Sequence, residues 1–274
     1  MLASPDLVLR WTERLVGMSV IIASLEWLAR PAQFADQGMF SWSVFSLRTK
    51  WMASRRAAGL LRLIFGQQGV LSMHLLRLAG AVLLFFNLTD GIATGVLTAT
   101  MAALGMLFHT RTPYGHDGSD QMASIILIVL SIGYATSSPF TWAVCFWFIA
   151  LQATTSYAAA GWAKVFNPGW RNGSLLARIW RTSTYGSAGI AAVTIKRGWP
   201  VSSAARFVLL WECTFPLVLV LPYPAIAVSL AAGFLFHVGN AAVMGLNTFV
   251  WSFAATYPAL LYCSHALSLR LYRQ

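Results

Sequence analysis

Charge is what this sequence has least of. Only 10% of its 274 residues are Asp, Glu, Lys or Arg, against about 25% in an ordinary soluble domain. Too few charges remain to wet the surface of a soluble globule of this size, so a soluble enzyme, a disordered chain and a fibrous protein are all disfavoured. Acids are scarcer still, eight in all. There are three cysteines, Cys145, Cys213 and Cys263, all in apolar runs and none in a C-x-x-C spacing. That excludes a disulfide framework and a cysteine zinc site, and leaves them as small hydrophobes. Internal repeats and low-complexity tracts are also lacking.

What is present is apolar and aromatic. Hydrophobic residues make up 58% of the chain, with 12 Trp and 17 Phe, and mean hydropathy is +0.65. The expected fold is all-α: a polytopic helical membrane bundle in one domain over 1–274, since helices and closed barrels alone satisfy the backbone in lipid. The 19 Lys and Arg exceed the acids to give a net charge of +11. These bases lie between apolar runs and no nucleic-acid motif accompanies them, so anionic lipid headgroups are the expected partner rather than nucleic acid.

Rare charges make good rulers. Between Asp120 and Lys164 lie 43 uncharged residues, enough for two spans broken at Ser137-Ser138-Pro139. Between Arg206 and Arg270 lie 63 residues with one charge, Glu212, enough for three. Spans are expected at about 12–29, 75–89, 92–109, 121–136, 140–164, 204–221, 224–245 and 248–267, the first as a retained span rather than a cleaved signal. Two basic connections, about 30–74 and 165–203, mix Arg and Lys with Trp, Leu and Phe, as interfacial helices do; ordinary basic loops are the alternative. Alternation puts 13 bases on the face of these connections and four on the other (Arg10, Arg14, Arg270 and Arg273). The positive-inside bias assigns the loaded face to the cytoplasm.

Ionisable groups within spans are costly and mark sites. Lys164 closes the fifth span in "YAAAGWAK", as a base in a poorly hydrated pocket or as a lysine snorkelling to the headgroups. His116, Asp117 and Asp120 converge at the start of the fourth span in "PYGHDGSDQM", to cap the helix or to orient a substrate; their spacing matches no known metal loop, and no metal is expected. Glu212 lies inside the sixth span, with Lys164 or Arg206 as candidate partner. His237 and Asn240 share a face of the seventh, and with Asn247 can line one cavity. Glu26 lies within the first. Gly91-x-x-x-Gly95 permits close helix packing.

In order, "DGSDQM", "Y-x-x-A-G-x-x-K", "W-x-x-G" at Trp170–Gly173, a membrane Glu followed by Pro (Glu212, Pro216) and a membrane His resemble the horizontally transferred transmembrane (HTTM) family of vitamin K-dependent γ-carboxylase-like proteins, over about residues 12–265. "W-x-N-G-S" followed by "STYG" looks most like the compact bacterial branch typified by sporulation-delaying protein B, associated with maturation of secreted peptide toxins. The resemblance implies a multi-pass protein of the cell membrane. It implies a lysine that deprotonates a reduced quinone, which with dioxygen yields a strong base; that base removes a γ-proton from a peptide glutamate, to which carbon dioxide adds. Lys164 matches that lysine. Lys164, Glu212 and His237 are the candidate catalytic residues; His116, Asp117, Asp120, Tyr157, Trp170 and Asn240 are the candidate substrate-binding ones. The chain departs from the carboxylases in lacking their large extramembrane region after the last span, so a separate soluble partner protein is expected to present the peptide. It also has Ala163 where a carboxylase often has a second lysine. The motif-bearing face is extracytoplasmic in carboxylases, opposite to the charge bias. A non-catalytic scaffold, chaperone or immunity-type protein that binds a peptide or lipid is the other reading.

Overall fold

The computed structural model describes residues 4–48, 55–112, 114–182, 184–186, 189 and 201–271. It is 83% helical, with no strand among the described residues. The principal helices are α1 (Pro5–Leu28), α2 (Trp42–Phe45), α3 (Arg55–Phe65), α4 (Gln67–Phe85), α5 (Gly91–Arg111), α6 (Gly118–Thr136), α7 (Pro139–Val165), α8 (Pro168–Arg171), α9 (Ser174–Ile179), α10 (Val201–Thr214), α11 (Tyr223–Met244), α12 (Asn247–Ala254) and α13 (Tyr257–Leu271). Among the described residues, six helical segments are long and apolar enough to cross a membrane: α4, α5, α6, α7, α10 with its 3-10 continuation to Leu219, and α11.

The two outermost expected spans differ. The first helix begins at Pro5, where proline lacks only an N–H that has no helical partner anyway, and Asp6 faces the positive end of the helix. Its charges, Asp6, Arg10, Glu13, Arg14 and Glu26, keep it out of the six. The last expected span breaks at Ala255–Thr256 into α12 and α13. Pro258, in the first turn of α13, cannot donate the N–H that a continuous helix needs. The second expected span starts earlier than its charges imply: α4 runs from Gln67 and takes His74 and Arg77 into its buried face. Within the expected 165–203 connection, α8 and α9 are described, whereas the basic "IKRGWP" stretch lies outside the described residues. So do residues 49–54 of the 30–74 connection.

The chain divides into two compact units, Glu13–Thr141 and Trp142–Gln274 together with the residues up to Thr12. In the Glu13–Thr141 unit, Trp27 packs on Phe34, Phe40 and Phe108, beside Val70. A second cluster joins Phe45, Leu61, Phe65 and Met73. Between them lies Arg111. It is fully buried and donates from Nε to the Phe65 carbonyl at 2.7 Å and from Nη2 to the Phe40 carbonyl, with its guanidinium 4.5 Å from the Phe45 ring centre. Placed among the headgroup-facing bases by its position at a span end, Arg111 instead ties the 30–74 connection to the end of α5. Glu13 is also buried; its carboxylate accepts from Asn87 Nδ2 at 2.8 Å and from the Tyr134 hydroxyl.

The Gly91-x-x-x-Gly95 pair divides its labour. Gly91 takes a left-handed φ of +49° at the start of α5 and meets nothing within 4 Å, so its role is the turn. Gly95 provides the close packing: a Cβ there would lie 2.8 Å from Tyr134 Cβ on α6. Gly95→Val therefore forces α5 and α6 apart and is expected to destabilise this unit by about 1–3 kcal/mol, read as a lower unfolding midpoint in detergent; an unchanged midpoint contradicts this packing.

Candidate functional site

The Trp142–Gln274 unit contains a cavity of about 570 Å³, within the size range of small-molecule sites. Its wall is largely aromatic and aliphatic, with Trp170, Trp180, Phe236, Phe249 and Phe253 among the residues that face it. Set into that wall are Tyr157, Lys164, Glu212, His237 and Asn240.

α7 supplies two of these. Tyr157 and Lys164 are seven residues apart and so return to one helical face. Gly161, between them, faces α10 so closely that a Cβ there would stand 2.8 Å from the Cys213 backbone nitrogen and 3.0 Å from Glu212 Cβ. This close approach explains the glycine in "A-G-x-x-K", because it brings Glu212 within reach of Lys164. Lys164 Nζ donates to both carboxylate oxygens of Glu212, at 2.6 and 2.5 Å. Glu212 is buried while Lys164 is partly exposed, and the Trp170 ring centre lies 5.5 Å from Nζ, within cation–π range.

Trp170 is held by local chemistry. Asn167 caps α8 by accepting from the Gly169 N–H at 2.9 Å. Gly173 then turns the chain with φ +79°, where a Cβ would sit 2.7 Å from the Ser202 nitrogen; no side chain fits, which accounts for the glycine of "W-x-x-G". On α11, His237 Nε2 and the Tyr157 hydroxyl share a hydrogen bond of 2.7 Å, while His237 Nδ1 is buried with no hydrogen-bond partner among the described residues. Phe253 stacks on the His237 ring at 4.6 Å. Asn240, one turn on, also faces the cavity; Asn247 opens α12 and is not part of its lining.

Of the nine candidate residues, six meet here: Lys164, Glu212, His237, Tyr157, Trp170 and Asn240. His116, Asp117 and Asp120 belong to the other unit. Asp117 is the N-cap of α6: its Oδ1 accepts from the Ser119 N–H at 2.8 Å and from the Asp120 N–H at 3.4 Å, while Asp120 reaches back to the Asp117 N–H, completing a capping box. Burial pushes the Asp117 carboxyl up from the ordinary carboxylate range, against the Ser119 hydrogen bonds that pull it down. The capping alternative thus accounts for Asp117. His116 and Asp120 pair at 3.3 Å, and the His109 ring stacks on His116 at 3.9 Å.

Several residues of the two sites escape a reading of the sequence. Phe249 and Phe253 line the cavity but look like ordinary span aromatics, and Trp180 looks like one more aromatic of the basic 165–203 connection. His109 lies at a span end, and its separation from His116 and Asp120 becomes legible only once α5 and α6 fold back on each other.

Compared with known proteins, the chain matches no family model, no curated protein and no solved structure.

The buried Tyr157–His237 bond has a measurable cost. Tyr157→Phe removes the partner of His237 Nε2 without altering the ring, and is expected to destabilise the protein by about 1–3 kcal/mol. A Tyr157→Phe protein that unfolds at the wild-type midpoint contradicts this.

Proposed function

We propose that this chain is an integral-membrane enzyme or maturation factor of the cell membrane that acts on a peptide, with γ-carboxylase-like chemistry and Lys164 as general base. The observation that carries the reading is the Lys164–Glu212 pair, set in the wall of an otherwise apolar cavity. The order of motifs shared with the HTTM family supports the reaction class and the peptide substrate, and the basic, aromatic-rich segments support contact with anionic headgroups.

A lysine is a base only with a free lone pair. Glu212 provides for this: moving one proton from Nζ to the carboxylate leaves an amine and a carboxylic acid with no change in net charge, and the neutral pair avoids the desolvation cost that the two ions carry. Lys164 then takes a proton from bound substrate, and Trp170 faces the ammonium that results. Glu212 holds the other proton and orients Nζ. His237, held through Nε2 by the Tyr157 hydroxyl, lines the same cavity.

A reduced, vitamin K-like quinone fits these residues: the volume accommodates a substituted ring, the wall offers aromatic faces, and Lys164, His237 and Asn240 supply polar groups along it. Bound there, such a quinone supplies, with dioxygen, a base stronger than any amine, and carbon dioxide is the group added. Trp170, Phe249 and His237 would hold it beside Lys164.

The second reading, a non-catalytic scaffold or immunity-type protein, draws support from the same ion pair, since a two-pronged Lys–Glu contact also fastens α7 to α10. Mass spectrometry separates the two. In cells producing the chain with a small secreted peptide from its own gene neighbourhood, wild type should add the mass of carbon dioxide to the peptide or cleave it. Lys164→Ala, at unchanged protein level, should lower the yield by about 10²–10⁴-fold. Full maturation by Lys164→Ala, with loss on Gly161→Val, supports the scaffold instead.

A further inference from the structure

We propose that His109, His116 and Asp120 bind one divalent transition-metal ion, of which Zn²⁺ is the best fit. This site lies in the Glu13–Thr141 unit and is independent of the Lys164 reading. Among the described residues these three offer one ligand atom each, all within 4.8 Å of one another, and all three are half-buried. His109 comes from the last turn of α5, His116 from the connection that follows, and Asp120 from the first turn of α6.

The hydrogen bonds fix the tautomers. His109 Nδ1 lies 2.7 Å from the Gly105 carbonyl; a carbonyl only accepts, so Nδ1 carries the hydrogen and Nε2 keeps a lone pair. Thr112 Oγ1 donates its own hydrogen to the Phe108 carbonyl at 2.9 Å and so accepts from His116 Nε2 at 2.5 Å. In the neutral ring the lone pair of His116 is then on Nδ1, which faces Asp120 Oδ2 at 3.3 Å. Two lone pairs aimed at each other require a cation. A charge-assisted N–H···O contact closes to about 2.7–2.9 Å, and two ligands of a tetrahedral ion with bonds of about 2.0–2.1 Å stand about 3.3–3.4 Å apart; the observed 3.3 Å accommodates such an ion as well as a long ion pair.

The rest of the arrangement agrees. Each histidine donates its other N–H to an oxygen, as metal-bound histidines do. Two imidazoles and one carboxylate suit Zn²⁺ or Fe²⁺ and leave a fourth position for water. The rings of His109 and His116 are stacked at 3.9 Å with planes 21° apart, so one of them must swing for both in-plane lone pairs to meet on one ion. The competing account is that Asp120 is only a counter-ion, for a protonated His116 and for Arg77, which is buried in α4 and feels the Asp120 charge.

The test uses the full chain, purified in detergent without a polyhistidine tag, stripped with a chelator, and reloaded with Zn²⁺, Fe²⁺ or Co²⁺ in separate samples. Elemental analysis should find about one Zn²⁺ per chain after desalting, and Co²⁺ should give the visible bands of a four-coordinate ion. Tighter retention of Fe²⁺ than Zn²⁺ would overturn the choice of ion. His109→Gln and Asp120→Asn should each weaken binding by at least about tenfold, with circular dichroism and gel filtration reporting the fold. His265→Gln, at an exposed histidine of α13, should bind as wild type does. The result that overturns the site is a folded wild-type protein with no cobalt bands and no more metal than a protein without the candidate ligands; Asp120 is then a counter-ion only. Wild-type loading decides this even if the variants do not fold.

Discussion

An ionised group inside a span finds no solvent in lipid and little in an apolar core, so it is stable there only with its own counterpart. Three sites follow this constraint, and their counterparts are far away in sequence. Lys164 meets Glu212 across 48 residues. Glu13 meets Asn87 across 74 and Tyr134 across 121. Arg111 meets the carbonyls of Phe65 and Phe40 across 46 and 71. Helices in a membrane gain nothing from burying leucine against leucine rather than against lipid. In such a chain a few polar contacts, and the glycines that let helices come close enough to make them, fix which helices are neighbours.

This is also why the sequence reveals the helices better than their partners. Five of the six membrane-length segments follow from long intervals with at most one charge: α5 from the 20 residues between Asp90 and Arg111, α6 and α7 from the 43 between Asp120 and Lys164, and α10 and α11 from the 63 between Arg206 and Arg270. Counting charges fails where a charge is buried. Arg111 looks like a headgroup anchor but is sealed between the 30–74 connection and the end of α5. Pro258 breaks the last expected span at a point that hydropathy passes over, since proline is as apolar there as its neighbours.

The cavity was partly legible for a related reason. Lys164, Glu212 and His237 stand out because they are expensive in apolar runs, and expense attracts notice wherever the fold puts them. Tyr157 and Trp170 entered only through motif order, and their aromatic neighbours not at all, since nothing local separates a cavity-lining phenylalanine from one that faces lipid. Asp117 shows the converse. A carboxylate at a helix start reads equally as cap or as ligand, and only the hydrogen bonds of its oxygens distinguish the two; here they are spent on the backbone of α6.

The geometry of the Lys164–Glu212 pair sets a condition on any chemistry in the cavity. Both carboxylate oxygens already receive the ammonium, so the resting pair is closed on itself and offers a substrate no lone pair on Nζ. A ligand that merely fills the apolar volume leaves it closed. One that engages Lys164 must bring a group able to compete with a buried carboxylate for Nζ, an acidic hydroxyl or a second carboxylate, which in turn leaves Glu212 in need of the proton that Lys164 gives up. On the proposed reading, transfer of a proton within the pair comes first and frees the Nζ lone pair that the substrate then meets. Gly161 serves that transfer by letting α7 and α10 approach closely enough for Lys164 and Glu212 to touch.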